Sequence, residues 1–258
     1  MQKIKILLSV FFLLLLIPQN SFSAASRNLT IFAEPNMALA LTKIARLYSQ
    51  HSNSIVSVNF NSSYDLMSDI TAGEPADIFI SAHSGWIESL RQKGLVDVYN
   101  IGYIASDSLA LVALESNKNF PAELSDEKLP LEQALKILNQ NRATLILDSE
   151  TNASGDICGK AVKNLALHNL KIFRKISEDK SSFLSVVRNN VESYSLLLAS
   201  QIKNETDFRI LATKTDGNIF YQALVIAGDN MEVAREFIKF LKSDVAKVVF
   251  EESGFKPS

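Results

Sequence analysis

Short apolar runs alternate along this chain with stretches in which apolar residues recur every three to four positions. Asn28 to Ala33 (NLTIFA) reads as a strand. Met37 to Gln50 reads as a helix, with Leu41, Ile44, Ala45 and Tyr48 on one face. Ile55 to Phe60 alternates as a second strand. Ser63 to Ala72 is a short helix stopped by Gly73, Ile78 to Ser81 a buried strand, and Trp86 to Lys93 a helix with Gly94 as its stop. Further on, Ser108 to Leu114, Thr144 to Asp148 and Tyr194 to Ala199 read as strands. Leu131 to Asn139, Ser154 to about His168, and Phe183 to Asn190 read as helices. An apolar run from Ile219 to Ala227 precedes two closing helices, Glu232 to Lys242 and Val245 to Glu252.

Alternating strands and helices predict α/β layers. After a polar break the chain is expected to leave a first lobe near Ser106, build a second, and return near Asp216. The first lobe then takes residues 27–106 and 217–258, and the second 107–216. Two such lobes enclose a cleft walled by strand ends and helix starts, where ligands of open α/β sheets collect.

The N-terminus bears on the compartment. Lys3 and Lys5 form a basic start, Ile6 to Ile17 an apolar core, and Pro18 breaks it. Ser21-Phe22-Ser23-Ala24-Ala25 then offers small residues at cleavage spacing, so residues 1–25 read as a secretory signal peptide. The apolar core is shorter than the roughly 20 residues a membrane-spanning helix needs. The expected location is the periplasm. Removing the two lysines takes the formal net charge from −2 to about −4, which excludes a backbone-tracking nucleic-acid binder. Cys158 is the single cysteine, so no intramolecular disulfide forms.

Three predicted helix starts carry short polar residues: Asn36, Ser62-Ser63, and Ser154-Gly155. The first amides of a helix lack internal partners and sit at the positive end of its dipole, so such starts suit an anion. Serine hydroxyls can donate to an oxyanion, and glycine lets backbone approach closely. Each of these residues is equally an ordinary helix cap.

The run Gly73-Glu74-Pro75-Ala76-Asp77-Ile78-Phe79-Ile80-Ser81-Ala82, preceded by Ser62-Ser63 at a helix start, resembles the molybdate-binding solute receptors of bacterial ABC importers. The resemblance implies a type II periplasmic-binding-protein fold and a tetrahedral oxyanion, molybdate or tungstate, held by neutral donors. It implies a monomer that delivers its ligand to a membrane permease, with no catalysis and no cofactor. Ser63, with Ser62 beside it, matches the serine pair after strand two, and Ser154 the helix start of the second lobe. Where the family reads Ala-Ala-Ser after strand one, this chain reads Glu34-Pro35-Asn36, and Asn36 can still donate through its amide. The family's Glu-Asp-Val step reads Glu178-Asp179-Lys180, and its ligand tyrosine aligns with Leu198, near Tyr194. The expected ligand-binding set is therefore Asn36, Ser62, Ser63, Ser154 and Lys180, with Lys180 pairing either with the anion or with Glu34.

Other classes leave weaker traces. Cys158 lies early in a helix, where a thiolate is stabilised, but no nucleophile motif surrounds it. His51, His83 and His168 are scattered, without paired metal-ligand spacing. Glu34, Lys180 and Leu198 keep open a receptor for another anion or small organic ligand, or an interaction module that has lost its ligand. Donors from Asn36, Ser63 and Ser154 converging in an enclosed cleft would favour the receptor.

Overall fold

The computed structural model describes residues 27–52, 54–125, 129–175 and 182–258. The expected signal peptide and Lys180 lie outside them.

The strands form one sheet in the order β2-β1-β3-β8-β4-β7-β5-β6, with β9 paired to β4. β1 (Arg27–Ala33) lies parallel to both β2 (Ser54–Phe60) and β3 (Ile78–Ser81). At the other end, β5 (Thr144–Leu147) lies parallel to β6 (Lys171–Arg174) and β7 (Tyr194–Leu198). Two strands of 19 residues, β4 (Val96–Leu114) and β8 (Phe208–Ile226), run antiparallel through the middle and join the ends. β9 is the short pair Lys256–Pro257.

The expected crossing points, Ser106 and Asp216, fall inside β4 and β8. The sequence foretold only Ser108 to Leu114 of β4 and Ile219 to Ala227 of β8. The polar residues Ser106, Asp107 and Ser108 looked like a break. Cross-strand pairing instead carries the backbone through, with a register shift between Asp107 and Leu109. β6 was also missed, because at the sheet edge Ile172 and Phe173 stay exposed and no buried alternation marks the segment.

Helices cover the faces. α1 (Ala38–His51) buries Ala40, Leu41, Ile44, Ala45 and Tyr48, as its periodicity requires. Tyr48 meets Phe237 of α7 (Met231–Leu241) edge-on, with ring centroids 5.0 Å apart. Burying each large side chain of this kind contributes about 1.5–3 kcal/mol. α2 spans Ser63–Ala72 and ends on Gly73, whose φ of 95° is the left-handed cap that glycine adopts without strain. α3 is Ser84–Gln92 and α4 Leu131–Gln140. α5 (Ala153–Lys163) is shorter than expected, and the chain after it turns through Ala166 at φ 50°. α6 is Phe183–Arg188, and α8 (Asp244–Glu252) closes the chain ahead of β9.

Candidate functional site: a polar cleft at the carboxyl ends of the strands

The segments following β1, β2, β5 and β7 meet around a cleft of about 800 Å³. Glu34, Asn36, Asn61 and Ser62 line one wall. Ser149, Asn152, Ser154, Ser200 and Gln201 line the other, and Lys175 and Arg188 also border it. The walls touch across the gap. The Tyr64 amide donates to the Thr151 carbonyl at 3.2 Å, and Asn36 Nδ2 to Ser200 Oγ at 3.3 Å.

On the first wall β1 ends at Ala33, and Glu34 opens a short 3-10 turn, Pro35–Met37, that leads into α1. Glu34 is only 3 % exposed, and its Oε1 accepts three hydrogen bonds. They come from the Ser63 hydroxyl at 2.7 Å, the Ser81 hydroxyl, and the Ala82 amide at 2.9 Å. Burial pushes the Glu34 carboxyl above the usual carboxylate range. The donors pull the other way, and the Asp107 carboxylate adds to the upward push.

Ser62 and Ser63 therefore part company. Ser62 caps α2, its Oγ accepting from the Asp65 amide at 3.1 Å, and it faces the cleft. Ser63 is fully buried and gives its hydroxyl to Glu34. Asn36 lines the cleft, but its amide donates to Ser200 and to the Tyr221 hydroxyl. Tyr221 is buried on β8.

On the second wall Ser154 lies in the first turn of α5, and its Oγ donates to Gln201 Oε1 at 3.0 Å. The Leu198 amide donates to the same oxygen at 2.9 Å. Gly155 is required here, because a Cβ would stand 2.0 Å from the Ser149 carbonyl oxygen and 2.5 Å from that of Asp148. Asp148 is itself buried, and burial raises its carboxyl. Its Oδ1 accepts from the Ser149 amide and its Oδ2 from Asn152 Nδ2. Leu198 is buried, and the Tyr194 hydroxyl turns to the Asn119 carbonyl.

The structure thus brings Asn36, Ser62 and Ser154 to one cleft and holds Ser63 behind Glu34. Sequence reasoning missed Ser81, Gln201, Tyr221 and Asp107. Tyr221 left a trace as an aromatic hydroxyl on the inward parity of an apolar strand, and Ser81 stands in the run that carries the resemblance. At the cleft, Arg188 binds Asp207 through Nε at 2.7 Å and also pairs with Glu205. Cys158 is buried, and burial pushes its thiol up, away from the thiolate.

Residues 29–256 match the family of bacterial extracellular solute-binding proteins, and the chain belongs to that family. It is 26 % identical over 249 residues to the molybdate-binding protein ModA of Haemophilus influenzae, covering 93 % of this chain and 95 % of that protein. Among solved structures, the tungstate ABC transporter protein of Geobacter sulfurreducens superposes with a TM-score of 0.71 at 14 % identity, over 87 % of this chain and 98 % of that one. L-phospholactate-bound PEB3, a Campylobacter jejuni protein, superposes with a TM-score of 0.65 at 17 % identity, over 88 % and 99 %. The fold is the two-lobed α/β fold of periplasmic binding proteins that the sequence led us to expect.

Proposed function

We propose that this chain is the periplasmic substrate-binding component of an ABC importer. In this reading it captures an oxyanion in the cleft and delivers it to a membrane permease. The observation that carries the reading is the convergence of four strand-end segments on one polar cleft, with the capped start of α2 and the start of α5 facing each other across it. Molybdate and tungstate are the first ligands to test, since the 26 % identical relative that covers 93 % of this chain is a molybdate-binding protein and one of the structural neighbours is a tungstate transporter protein. Asn36, Ser62 and Ser154 are the proposed contacts from the expected set, and Lys180 is kept as a candidate.

The lobe boundaries follow the sequence reading: 27–106 with 217–258, and 107–216. The hinge lies in β4 and β8. The protein acts as a monomer after removal of residues 1–25, and closure is driven by contacts that the ligand makes only in the closed state. A second reading, a receptor for a larger organic anion, is favoured by the size of the cleft and by the diversion of Ser63 to Glu34.

The test is the melting temperature of the mature protein against molybdate, tungstate, sulfate, phosphate and small carboxylates. A ligand present at about 100 times its Kd adds about 2.7 kcal/mol of stability. For a chain of this size that is a rise of roughly 5–10 °C. A rise with at least one anion supports the receptor. A flat response to all of them removes it.

A further inference from the structure

We propose that Glu34 sets the ligand preference of the cleft, selecting oxyanions that carry their own proton over fully ionised ones. The inference rests on the receptor reading and sharpens it. Among the described residues, the three hydrogen bonds that the Glu34 carboxylate accepts all fall on Oε1. The residue lines the cleft, and with Oε1 held by these donors Oε2 is the oxygen left for a bound anion to meet. A carboxylate oxygen and an oxyanion oxygen are both acceptors. They approach to hydrogen-bonding distance only with one proton between them.

Hydrogen phosphate brings that proton. Molybdate, tungstate and sulfate carry none at neutral pH, so their binding must draw one from solvent onto Glu34. Three donors already occupy Oε1, which leaves Oε2 as the protonation site. Burial raises this carboxyl, which makes the uptake possible while keeping it costly at high pH.

Among the described residues, the groups that act directly on Glu34 do not relieve the repulsion. The groups that act on Glu34 are Ser63 at the start of α2, Ser81 and Ala82 at the end of β3, and Asp107 on β4. None of these is a cation. Tyr221 on β8 is a weak acid whose hydroxyl already accepts from Asn36. Asp65 and Asp148 face the same cleft with Lys175 and Arg188. The Arg188 charge is shared with Glu205 and Asp207. Asp107 is the competing proton site: it is buried, and its Oδ2 has no hydrogen-bond partner.

The experiment is isothermal titration of the mature protein with phosphate, molybdate and sulfate. It is run at about pH 7.5 and 8.5 in buffers of different ionisation enthalpy, which reads the protons taken up per anion bound. For the wild type, phosphate is expected to bind at least about tenfold more tightly than molybdate or sulfate. The affinity of any fully ionised anion should fall about tenfold per pH unit, with uptake of one proton, while that of phosphate stays level. Glu34→Gln can donate from its amide, so the gap should close by about tenfold or more and the proton uptake should vanish.

Molybdate or sulfate binding as tightly as phosphate, without proton uptake, would overturn the inference and leave the receptor standing. Proton uptake that persists in Glu34→Gln and is lost in Asp107→Asn would also overturn it, moving the site to β4. If Glu34→Gln fails to fold, Asp107→Asn decides between the two carboxylates: uptake that survives in it keeps the proton on Glu34, and uptake that is lost in it overturns the inference. An absence of heat with every anion, from a protein that melts cooperatively, would remove the receptor reading and this inference together.

Discussion

Two acceptors organise the two walls of the cleft, and they differ in one respect. On the β1 wall Glu34 Oε1 gathers the hydroxyls of Ser63 and Ser81 and the amide of Ala82. On the β5 wall Gln201 Oε1 gathers the hydroxyl of Ser154 and the amide of Leu198. Both tie a helix start or strand end to a neighbouring segment. Glu34 is a buried acid whose charge is opposed by desolvation, whereas Gln201 is neutral and half-buried. The acceptor of the first wall therefore changes character with pH and that of the second does not. Three donors of the first wall, those of Ser63, Ser81 and Ala82, are already spent on an internal carboxylate, which occupies them as a bound anion would.

The largest effect should come from deleting the charged acceptor. Glu34→Ala leaves two hydroxyls and an amide without their partner, each costing about 1–3 kcal/mol if no water replaces it. We expect a loss of about 4 kcal/mol in denaturant unfolding, with Glu34→Gln recovering most of it. A loss below about 1 kcal/mol in Glu34→Ala would show that these donors are not structurally dependent on Glu34. Gly155→Ala comes next. Its Cβ meets two backbone carbonyls that cannot swing aside, so about 3 kcal/mol of overpacking is expected. An unchanged melting temperature would mean that the start of α5 shifts freely. Gln201→Ala orphans only two donors, one of them beside the cleft where water can replace the lost oxygen. We expect about 1–2 kcal/mol from it. A loss equal to that of Glu34→Ala would erase the distinction between the two walls.

The pH response separates the two acceptors without counting donors. Glu34 has its pKa raised above 4.5 in the folded state. The folded protein then holds this proton more tightly than the unfolded one, and stability falls as pH rises from about 4.5 to the folded pKa. Asp107 and Asp148, both raised by burial, add slopes of the same sign. Glu34→Gln should flatten the fall in that window, and Gln201→Glu should steepen it. Equal slopes for wild type and Glu34→Gln, measured by urea unfolding across about pH 4.5–7.5, would assign the whole response to the aspartates.

The alternation of strands and helices was legible because each helix has one apolar face and β3 opens with the apolar run Ile78-Phe79-Ile80. The bounds of α2 and β3 were read to the residue, since a serine cap, a glycine stop and a proline turn punctuate them. The cleft was legible in outline through Ser62, Asn36 and Ser154. What stayed hidden depended on direction. Adjacent serines at a helix start point to different sides, and nothing in the sequence says that Ser62 caps while Ser63 turns inward. Glu34 was visible as a carboxylate near an anion site. Its donors lie 29 to 48 residues away, so the fact that it is satisfied emerges only in the fold. Gln201 left no periodic signal because it sits in a 3-10 turn, Ala199–Ile202.

The smallest expected effect concerns the rim, where His83 Nε2 on the first wall stands 3.4 Å from Asp156 Oδ2 on the second. His83 also caps α3 through Nδ1 and stacks on Trp86. Burial lowers the His83 pKa below 6.5, the nearby Asp156 charge raises it, and Lys160 lowers it again. Below pH 6.5 the unfolded chain takes up this proton before the folded one does, so His83 costs stability as pH falls through that value toward its folded pKa. Asp156→Asn removes the group that eases protonation and should deepen the acid loss. Asp156 is partly exposed, so the change should stay under about 1 kcal/mol. Asp156 also pairs with Lys160 one turn along α5. The signature of the rim contact is therefore a difference between two pH values. Wild type and Asp156→Asn should differ by a small constant amount above about pH 7.5, and by more near pH 5.5. A gap of the same size at both would place the whole effect within α5 and leave the two walls joined at Tyr64 and Asn36 without help from His83.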